Sequence, residues 1–420
     1  MTKLLLGWED AGEPRSSIGF RMSDRMGDQP ARLIEADDES HVLCIAPTGA
    51  GKSRGLIIPT LLSWEGPAIV VDVKGELTHT TANYRKRSGQ KVVVLDPWRV
   101  TTTSPSRLNP LDVLRPTDDL VDGAFSFASL LSGGSAKKDD AFWTERAETL
   151  IAGCIALTIS KPNSPIGSFY DIWSLLYAND PSYALAEQLD ALHKDSDPFV
   201  AGAIGSTLST AEITRAGIIS TAQSLMRTFA SSSVRESSSE TNFSLEAVEQ
   251  GAPLTIYLVM PWEKLRSHAA LLKVWIASLM MIILRRKRRP QTPTLFMLDE
   301  LAQLGPLDEI RTAATFGRAA GMRALFVLQS YAQLKILYPD YETLVENCGS
   351  LVTFGHTTSH MSKALADMLG DISAEALFNM RPEQLAVRTL GAPTRIGRRL
   401  DYLKDTLFRG RADANPMFAK

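Results

Sequence analysis

The stretch "APTGAGKS", residues 46–53, has the residue types and spacing of a loop that binds nucleotide phosphates. Such a loop reads G-x-x-x-x-G-K-[ST], and this chain departs from it at Ala46, which occupies the first glycine position. In this motif successive N–H groups face one anion, the lysine reaches the β- and γ-phosphates, and the hydroxyl binds Mg²⁺. We therefore predict that Lys52 binds phosphate and that Ser53 binds Mg²⁺. The predicted phosphate cradle comprises Thr48, Gly49, Ala50, Gly51, Lys52, Ser53 and Arg54.

An apolar run that ends in two acids, "TLFMLDE", supplies the acidic partner that a phosphate-binding loop needs. In this Walker B arrangement Asp299 would hold Mg²⁺ through water, and Glu300 would orient or deprotonate the attacking water. A strand that ends in two acids is common, so the prediction depends on the phosphate-binding loop. Asp299 follows Lys52 by 247 residues, far more than a minimal nucleotide-binding core needs. The spacing therefore predicts an insertion between the two motifs.

Three polar residues near the next apolar run, "RALFVLQS", are further candidates. Gln329 ends that run and would lie between the two motifs, where its amide could sense the γ-phosphate; the alternative is a glutamine that caps the next helix. Arg318 and Arg323 are candidates for an arginine finger that reaches a neighbouring subunit, because a planar guanidinium suits the spread charge of phosphoryl transfer. The alternative for both arginines is a solvated surface charge.

The elements that must position these residues are predicted strands of a parallel sheet. Continuous Val/Ile runs, as opposed to strict alternation, are typical of parallel strands covered on both faces. The predicted strands lie at 41–46, 68–73, 91–97, 254–261, 294–300, 323–330 and 350–355. The phosphate-binding loop stands between the first of them and a predicted helix, so we predict a doubly wound α/β architecture. Residues 385–400 alternate on both sides of a Gly-Ala-Pro break, which predicts a terminal β-hairpin.

The middle of the chain has helical patterns without strand signals. Apolar residues such as Trp143, Ala147 and Leu150 recur at three- and four-residue spacing, which indicates a buried helical stripe. Two polar stretches, 132–140 and 231–242, are predicted to be loops or a linker. We therefore predict three segments. Residues 1–115 form the first part of a nucleotide-binding domain, 116–240 an inserted all-α domain, and 241–420 the second part with the Walker B motif, the glutamine and the hairpin.

Composition limits where such a chain could act. The formal net charge of −2 and the pI of about 6.3 exclude a globally basic protein, so any nucleic-acid contact must be local. The three cysteines have neither metal-type spacing nor a disulfide framework, which favours a reducing cytoplasm. The apolar runs at 149–159 and 275–284 are shorter than the ~20 residues of a membrane span. We predict that they are buried core helices and that no segment of this chain crosses a membrane.

Three charged clusters remain. The cluster "LRRKRRP" at 284–290 could bind phosphates of DNA or lipid, but it also ends a predicted helix, where cations complement the helix dipole, and we favour the second interpretation. The stretch 388–399 is similar, and its three arginines after Thr394 are interpreted as a solvated edge of the predicted hairpin that discourages strand pairing. The stretch "DVKGE" at 72–76 follows a strand and could border the nucleotide or a subunit interface, and no role is assigned to it.

The sequence resembles the coupling proteins of type IV secretion systems, the TraG-like conjugative DNA-transfer ATPases. The likeness covers essentially the whole chain and is carried by "HVLCIAPTGAGKSRGLIIPTLLSW", "VVDVKGELTHTTANYR", "FWTERAETLI", "FMLDELAQLG", "VLQSYAQLKILY" and "ENCGSLVTFG". It implies a RecA-like P-loop NTPase with a central twisted, mostly parallel sheet and an inserted all-α domain. Carried over residue by residue, it implies the P-loop role for Lys52 and Ser53, the Walker B role for Asp299 and Glu300, and the glutamine motif for Gln329.

The resemblance also implies the cofactors and partners. Members hydrolyse ATP with Mg²⁺, assemble as hexameric rings, recruit relaxase-bound DNA or protein effectors, and deliver them to a type IV secretion channel. An alternative is a nucleotide-controlled receptor or adaptor for protein effectors, and another is a DNA pump of the FtsK/HerA kind. The family typically carries an N-terminal membrane anchor, which this sequence does not show; a trimmed chain and a naturally anchorless member would both fit. We expect a cytoplasmic protein, with peripheral contact with the inner membrane as a further option.

Overall fold

A single large sheet organises the protein. The computed structural model describes residues 3–9, 32–36, 39–114, 120–133, 141–160, 167–192, 198–356 and 358–416. Within these residues, eleven strands form the sheet in the order β2-β1-β11-β10-β9-β3-β8-β7-β4-β6-β5. In chain order they are β1 (Leu4–Glu9), β2 (Leu33–Ala36), β3 (His41–Ile45), β4 (Ala68–Asp72), β5 (Lys91–Leu95), β6 (Leu254–Val259), β7 (Thr294–Leu298), β8 (Met322–Leu328), β9 (Cys348–Thr353), β10 (Gln384–Thr389) and β11 (Arg395–Arg398).

The seven strands from β9 to β5 in that order are parallel, as the continuous apolar runs predicted. Strands β3, β4, β6, β7 and β8 are buried at every residue, because both faces of the sheet are covered. In β3, Leu43 and Ile45 pack in one apolar core, and Val42 and Cys44 pack in a second core on the other face. Each of the seven predicted strands is therefore confirmed.

The remaining four strands extend the sheet antiparallel beside β9. The predicted terminal hairpin is confirmed as β10 and β11, but β11 also pairs with β1, so that Trp8 lies opposite Arg398. The interpretation of residues 388–399 as a solvated edge is therefore wrong, because β11 has a neighbour on each side. Strands β1 and β2 were not predicted, and their short apolar runs join the second core.

Sixteen α-helices lie within the described residues. They are α1 (Ile58–Ser63), α2 (Glu76–Arg87), α3 (Leu120–Ser132), α4 (Ala141–Ser160), α5 (Phe169–Leu176), α6 (Pro181–Asp190), α7 (Pro198–Leu208), α8 (Glu212–Met226), α9 (Ser232–Ser238), α10 (Leu245–Gln250), α11 (Trp262–Leu284), α12 (Asp308–Phe316), α13 (Tyr331–Leu337), α14 (Tyr341–Glu346), α15 (Ser359–Leu369) and α16 (Ala374–Phe378). A π-helical turn, Ser53–Ile57, leads directly into α1.

Helices α3 to α10 fill the chain between β5 and β6, and their apolar residues share one core with the sheet. Aromatic packing contributes to this region, since the rings of Phe169 and Phe229 stack at 4.6 Å. The prediction of a loop or linker at 231–242 is wrong, because α9 forms there around the buried Val234. Of the other predicted loop, residues 134–140 lie outside the described residues. The domain limits at 115/116 and 240/241 stay predictions.

Both long apolar runs lie in core helices, as predicted. In α4, residues 150–157 are buried, and in α11 the indole of Trp275 donates a hydrogen bond of 3.0 Å to the Leu108 carbonyl. Helix α11 is longer than its apolar run and begins at Trp262. In the described part of the chain it alone has the length and composition of a membrane span, with a mean hydropathy of 1.8, and 61% of that stretch is buried inside the protein.

The basic cluster at 284–290 divides into half-buried and exposed cations. Arg285 donates a hydrogen bond of 2.8 Å to the Val113 carbonyl. Arg286 donates to the carbonyls of Val248 and Glu249 at 2.7 Å each, and so caps the last turn of α10. It also contacts the carbonyls of Ala320 and Gly321 and the Thr294 hydroxyl. These two arginines are therefore structural. The helix end that Arg286 complements is that of α10, and not, as was predicted, that of the helix which the cluster itself ends.

Replacing Arg286 with methionine is expected to lower the free energy of unfolding by about 3 kcal/mol. The guanidinium joins α10, the turn before β8 and the first residue of β7, and its loss leaves several half-buried acceptors without a charged donor, each worth about 1.5–3 kcal/mol before water compensates. The measurement is the denaturation midpoint in urea. Lys287→Met is the matched control, because Lys287 is exposed, and it should change stability by less than about 0.5 kcal/mol. Equal shifts in the two variants would contradict the structural role.

Candidate active site

The phosphate-binding loop lies at the carboxyl end of β3. Gly49 and Gly51 adopt left-handed φ angles of +78° and +88°, which a side chain would disfavour. Ala46 is outside that region and its methyl group is buried, so the departure from the usual glycine is tolerated. The Lys52 ammonium donates to the carbonyls of Ala46 and Pro47 at 3.0 and 3.1 Å. The loop therefore lies between a strand and a helical turn, as predicted, and the Lys52 side chain is held against the loop's own carbonyl groups.

The two acids follow β7, and the order β3-β8-β7 brings the ends of these strands to one edge of the sheet. Glu300 has a left-handed backbone, with φ 56° and ψ 37°, a conformation that is uncommon outside glycine and concentrates at functional sites. Its N–H donates a hydrogen bond of 3.0 Å to the Asp299 carboxylate. Burial, with the nearby charge of Glu300, raises the pKa of Asp299 to about 7. This turn therefore places two carboxylates next to the loop.

Gln329 directly contacts one of these acids. Its side-chain N–H donates to the Glu300 carboxylate, across 29 residues of sequence. The alternative role, a cap for the next helix, belongs to Ser330, whose hydroxyl accepts from the Gln333 N–H at 3.2 Å. The structure therefore brings the glutamine to the position between the two motifs, and its role as a sensor of the γ-phosphate stays a prediction.

Neither arginine candidate lies at this edge of its own chain. Arg323 is fully buried and donates to the carbonyls of Ser40 and Ala36 at 2.9 and 3.1 Å, so its assignment as an arginine finger is wrong. Arg318 is exposed and precedes β8, at the amino edge of the sheet. Strands of this length separate the two edges by about 20 Å. Arg318 therefore does not reach its own phosphate cradle, and its role in a neighbouring subunit stays a prediction.

A cleft of about 630 Å³ contains the loop and the acids. Some of the residues that line this cleft were not predicted from the sequence. The lining residues outside the predicted motifs are Gly55, Lys74, Glu76, Glu383, Arg399, Leu400, Asp401, Tyr402, Leu403, Lys404 and Asn415. Lys74 and Glu76 come from the "DVKGE" stretch, which the strand-end rule placed at this edge without a role. The residues after β11 had no signal, because their place depends on how the hairpin pairs in the sheet.

The sequence matches a known protein family over most of its length. The family described as "Type IV secretory system Conjugative DNA transfer" matches residues 11–377, which is most of the 420 residues. The chain belongs to this family.

Relatives of this chain include conjugal transfer proteins TraG and proteins named VirD4. The chain is 27% identical over 350 residues to the conjugal transfer protein TraG of Escherichia coli, a match that covers 77% of this chain and 54% of TraG. It is 28% identical over 350 residues to VirD4 of Agrobacterium fabrum (strain C58 / ATCC 33970), covering 79% of this chain and 50% of VirD4. The resemblance to TraG-like coupling proteins is confirmed, and the chain spans about half the length of these relatives.

Solved structures of family-like proteins share the fold. The bacterial conjugative coupling protein TrwBdeltaN70 superposes with a TM-score of 0.67 at 16% identity, covering 89% of this chain and 90% of its own. TrwB in complex with the ATP analogue ADPNP has a TM-score of 0.66, and TrwB with ADP and Mg²⁺ has 0.62. At this identity the likeness shows the fold alone, and it confirms the predicted RecA-like P-loop fold with a mostly parallel central sheet.

Proposed function

We propose that this chain binds ATP with Mg²⁺ and hydrolyses it. The observation that carries the proposal is the contact between Gln329 and the carboxylate of Glu300, a residue that lines the same cleft as the phosphate-binding loop. A loop alone would bind many phosphate compounds, whereas an acid beside the γ-phosphate end, held by a polar sensor, suits the activation of water. TrwB, which shares the fold, has been captured with ADPNP and with ADP and Mg²⁺.

The residues of the cleft have complementary tasks. The N–H groups of the loop and the Lys52 ammonium bind the phosphates and offset their charge. Ser53 and Asp299 offer a hydroxyl and a carboxylate, the hard oxygen ligands that fit Mg²⁺, which usually takes one or two protein ligands beside water and phosphate. Mg²⁺, when bound, neutralises the developing charge on the phosphate oxygens. Glu300 accepts the proton of the attacking water, and Gln329 holds its carboxylate in place.

The energy of hydrolysis moves DNA toward a type IV secretion channel. Family membership supports this part of the proposal, since the family is named for conjugative DNA transfer. The partners are DNA, a relaxase or protein effector, and components of the channel, and the working form is a hexameric ring. Because the net charge is −2, the DNA contacts are local and directed at the phosphate backbone. The site of action is the cytoplasm, at the inner face of the inner membrane.

The test is steady-state ATP hydrolysis with and without single-stranded and duplex DNA, across protein concentration and salt. Turnover should rise with DNA of any sequence, and more than linearly with protein concentration if neighbouring subunits complete the site. Raising the salt from 50 to 200 mM should abolish most of the DNA stimulation, because phosphate contacts lose about 10³–10⁵ in affinity over this range. Turnover that requires Lys52 and Glu300 but ignores DNA would contradict the DNA motor and favour the receptor for protein effectors.

A further inference from the structure

Besides Lys52 and Arg54, which belong to the phosphate-binding loop, Arg399 from the last part of the chain also reaches this loop. Arg399 directly follows β11, and its guanidinium donates a hydrogen bond to the Ala50 carbonyl, 349 residues away in sequence. The chain at Arg399 is itself held in place, since its N–H donates at 2.8 Å to the Glu383 carbonyl. The guanidinium also lies over the Phe354 ring, 5.1 Å from the ring centre. The terminal hairpin therefore delivers a fixed positive charge to the loop.

Gly51 lies directly beside the guanidinium. A Cβ atom on Gly51 would lie 2.8 Å from the Arg399 Nη1 atom. Gly51 also has a φ angle of +88°, in the left-handed region that a side chain disfavours. A glycine at this position of the loop therefore suits the close approach of Arg399.

The charge of Arg399 has no carboxylate in ion-pair distance among the described residues. Asp401 is the nearest candidate by sequence, but Arg54 binds both of its oxygens, at 2.8 and 2.6 Å. The buried Nε atom of Arg399 has no hydrogen-bond partner. Burial, with the nearby charge of Arg54, lowers the pKa of Arg399, although the charges of Asp401 and Glu383 act in the opposite direction. A buried N–H donor without a partner, on a cation that lines the cleft of the phosphate-binding loop, suits an anion.

The order of strands indicates which phosphate group of a bound nucleotide would lie near Arg399. The acids follow β7, on one side of β3, whereas β9, β10 and β11 lie on its other side. A nucleotide whose γ-phosphate faces Glu300 must extend its nucleoside end toward the opposite side of the loop. We propose that Arg399 binds the α-phosphate of the nucleotide held by its own chain. This inference rests on the proposed ATP site and adds to it a cationic residue that acts in cis, distinct from any arginine of a neighbouring subunit.

The test compares Arg399→Gln with Arg398→Gln in nucleotide binding and in turnover. Glutamine keeps an N–H donor for the Ala50 carbonyl and removes the charge, so a purely structural role would survive the change. Arg398 is the matched control, because it pairs with Asp405 at 3.1 Å and does not line the cleft. The dissociation constants of ADP and ADPNP are measured first, since neither requires hydrolysis.

We expect Arg399→Gln to weaken ADP and ADPNP binding alike by about 10- to 100-fold, as for the loss of one charge-assisted contact. KM for ATP should rise by a similar factor while kcat changes less than about threefold, because the α-phosphate contact is the same before and during the reaction. Arg398→Gln should stay within about twofold of the unmodified chain. Arg399→Lys, which keeps the charge, should bind more tightly than Arg399→Gln, and this comparison decides the matter if the glutamine variant melts early.

Several outcomes would overturn the inference. Unchanged ADP and ADPNP affinity in Arg399→Gln would show that Arg399 only stabilises the loop through its contact with the Ala50 carbonyl. Weaker binding of ADPNP alone would place the contact at the γ-phosphate, and a fall in kcat alone would indicate a transition-state role. An equal loss in Arg398→Gln would indicate damage to the hairpin. If the unmodified chain binds neither nucleotide, the proposed function fails, which is distinguishable from each of these results.

Discussion

Replacing Glu300 with glutamine is expected to lower kcat for ATP hydrolysis by about 10²- to 10⁴-fold, the usual contribution of a general base. Glutamine has nearly the same shape and can still accept the hydrogen bond from Gln329. It cannot take a proton from the attacking water. ATP binding should persist or tighten, because the change removes a negative charge from the γ-phosphate end of the cleft.

The measurement combines single-turnover hydrolysis with the dissociation constant of ATP. Glu346→Gln is the matched control, because Glu346 is exposed in α14 and lies outside the cleft. It should hydrolyse ATP at the unmodified rate. A Glu300→Gln chain with more than about a tenth of the original kcat would show that another group activates the water, and the contact with Gln329 would then have only a structural meaning.

Replacing Lys52 with alanine is expected to weaken ATP and ADP binding by about 10²- to 10³-fold and to abolish turnover. Lys52 as a residue is only 8% exposed, and two carbonyl groups hold its ammonium over the loop, so it meets the phosphates with little water between them. Each charge-assisted hydrogen bond that it loses is worth about 1.5–3 kcal/mol, and two phosphates are affected.

Lys74→Ala is the control for Lys52→Ala, because Lys74 lines the same cleft but is exposed and not part of the loop. It should reduce affinity by less than about tenfold, as expected for a screened surface charge. Comparable losses of nucleotide affinity in both variants would show that the summed positive charge of the cleft attracts nucleotides. The lysine of the loop would then have no specific role. Thermal melting without nucleotide checks that each variant is folded.

Local patterns in the sequence determined the candidate site residues and the strands that carry them. The phosphate-binding loop, the acids Asp299 and Glu300, and the seven parallel strands were all predictable, because each is encoded within a short stretch. A buried parallel strand requires a continuous apolar run, and the loop requires its glycines and lysine at fixed spacing. These constraints act between residues close in sequence, so they can be recognised without the fold.

Only the tertiary structure decided how distant segments meet. The sequence offered Arg318 and Arg323 as equivalent candidates. The fold buries Arg323 against the Ser40 carbonyl, and it leaves Arg318 at the amino edge of the sheet, away from the phosphate-binding loop. The hairpin was predictable, but its insertion beside β1 was not, and that insertion brings Arg399 to the loop. The physical reason is that strand order and side-chain burial depend on packing between elements hundreds of residues apart, which leaves no trace in the spacing of neighbouring residues.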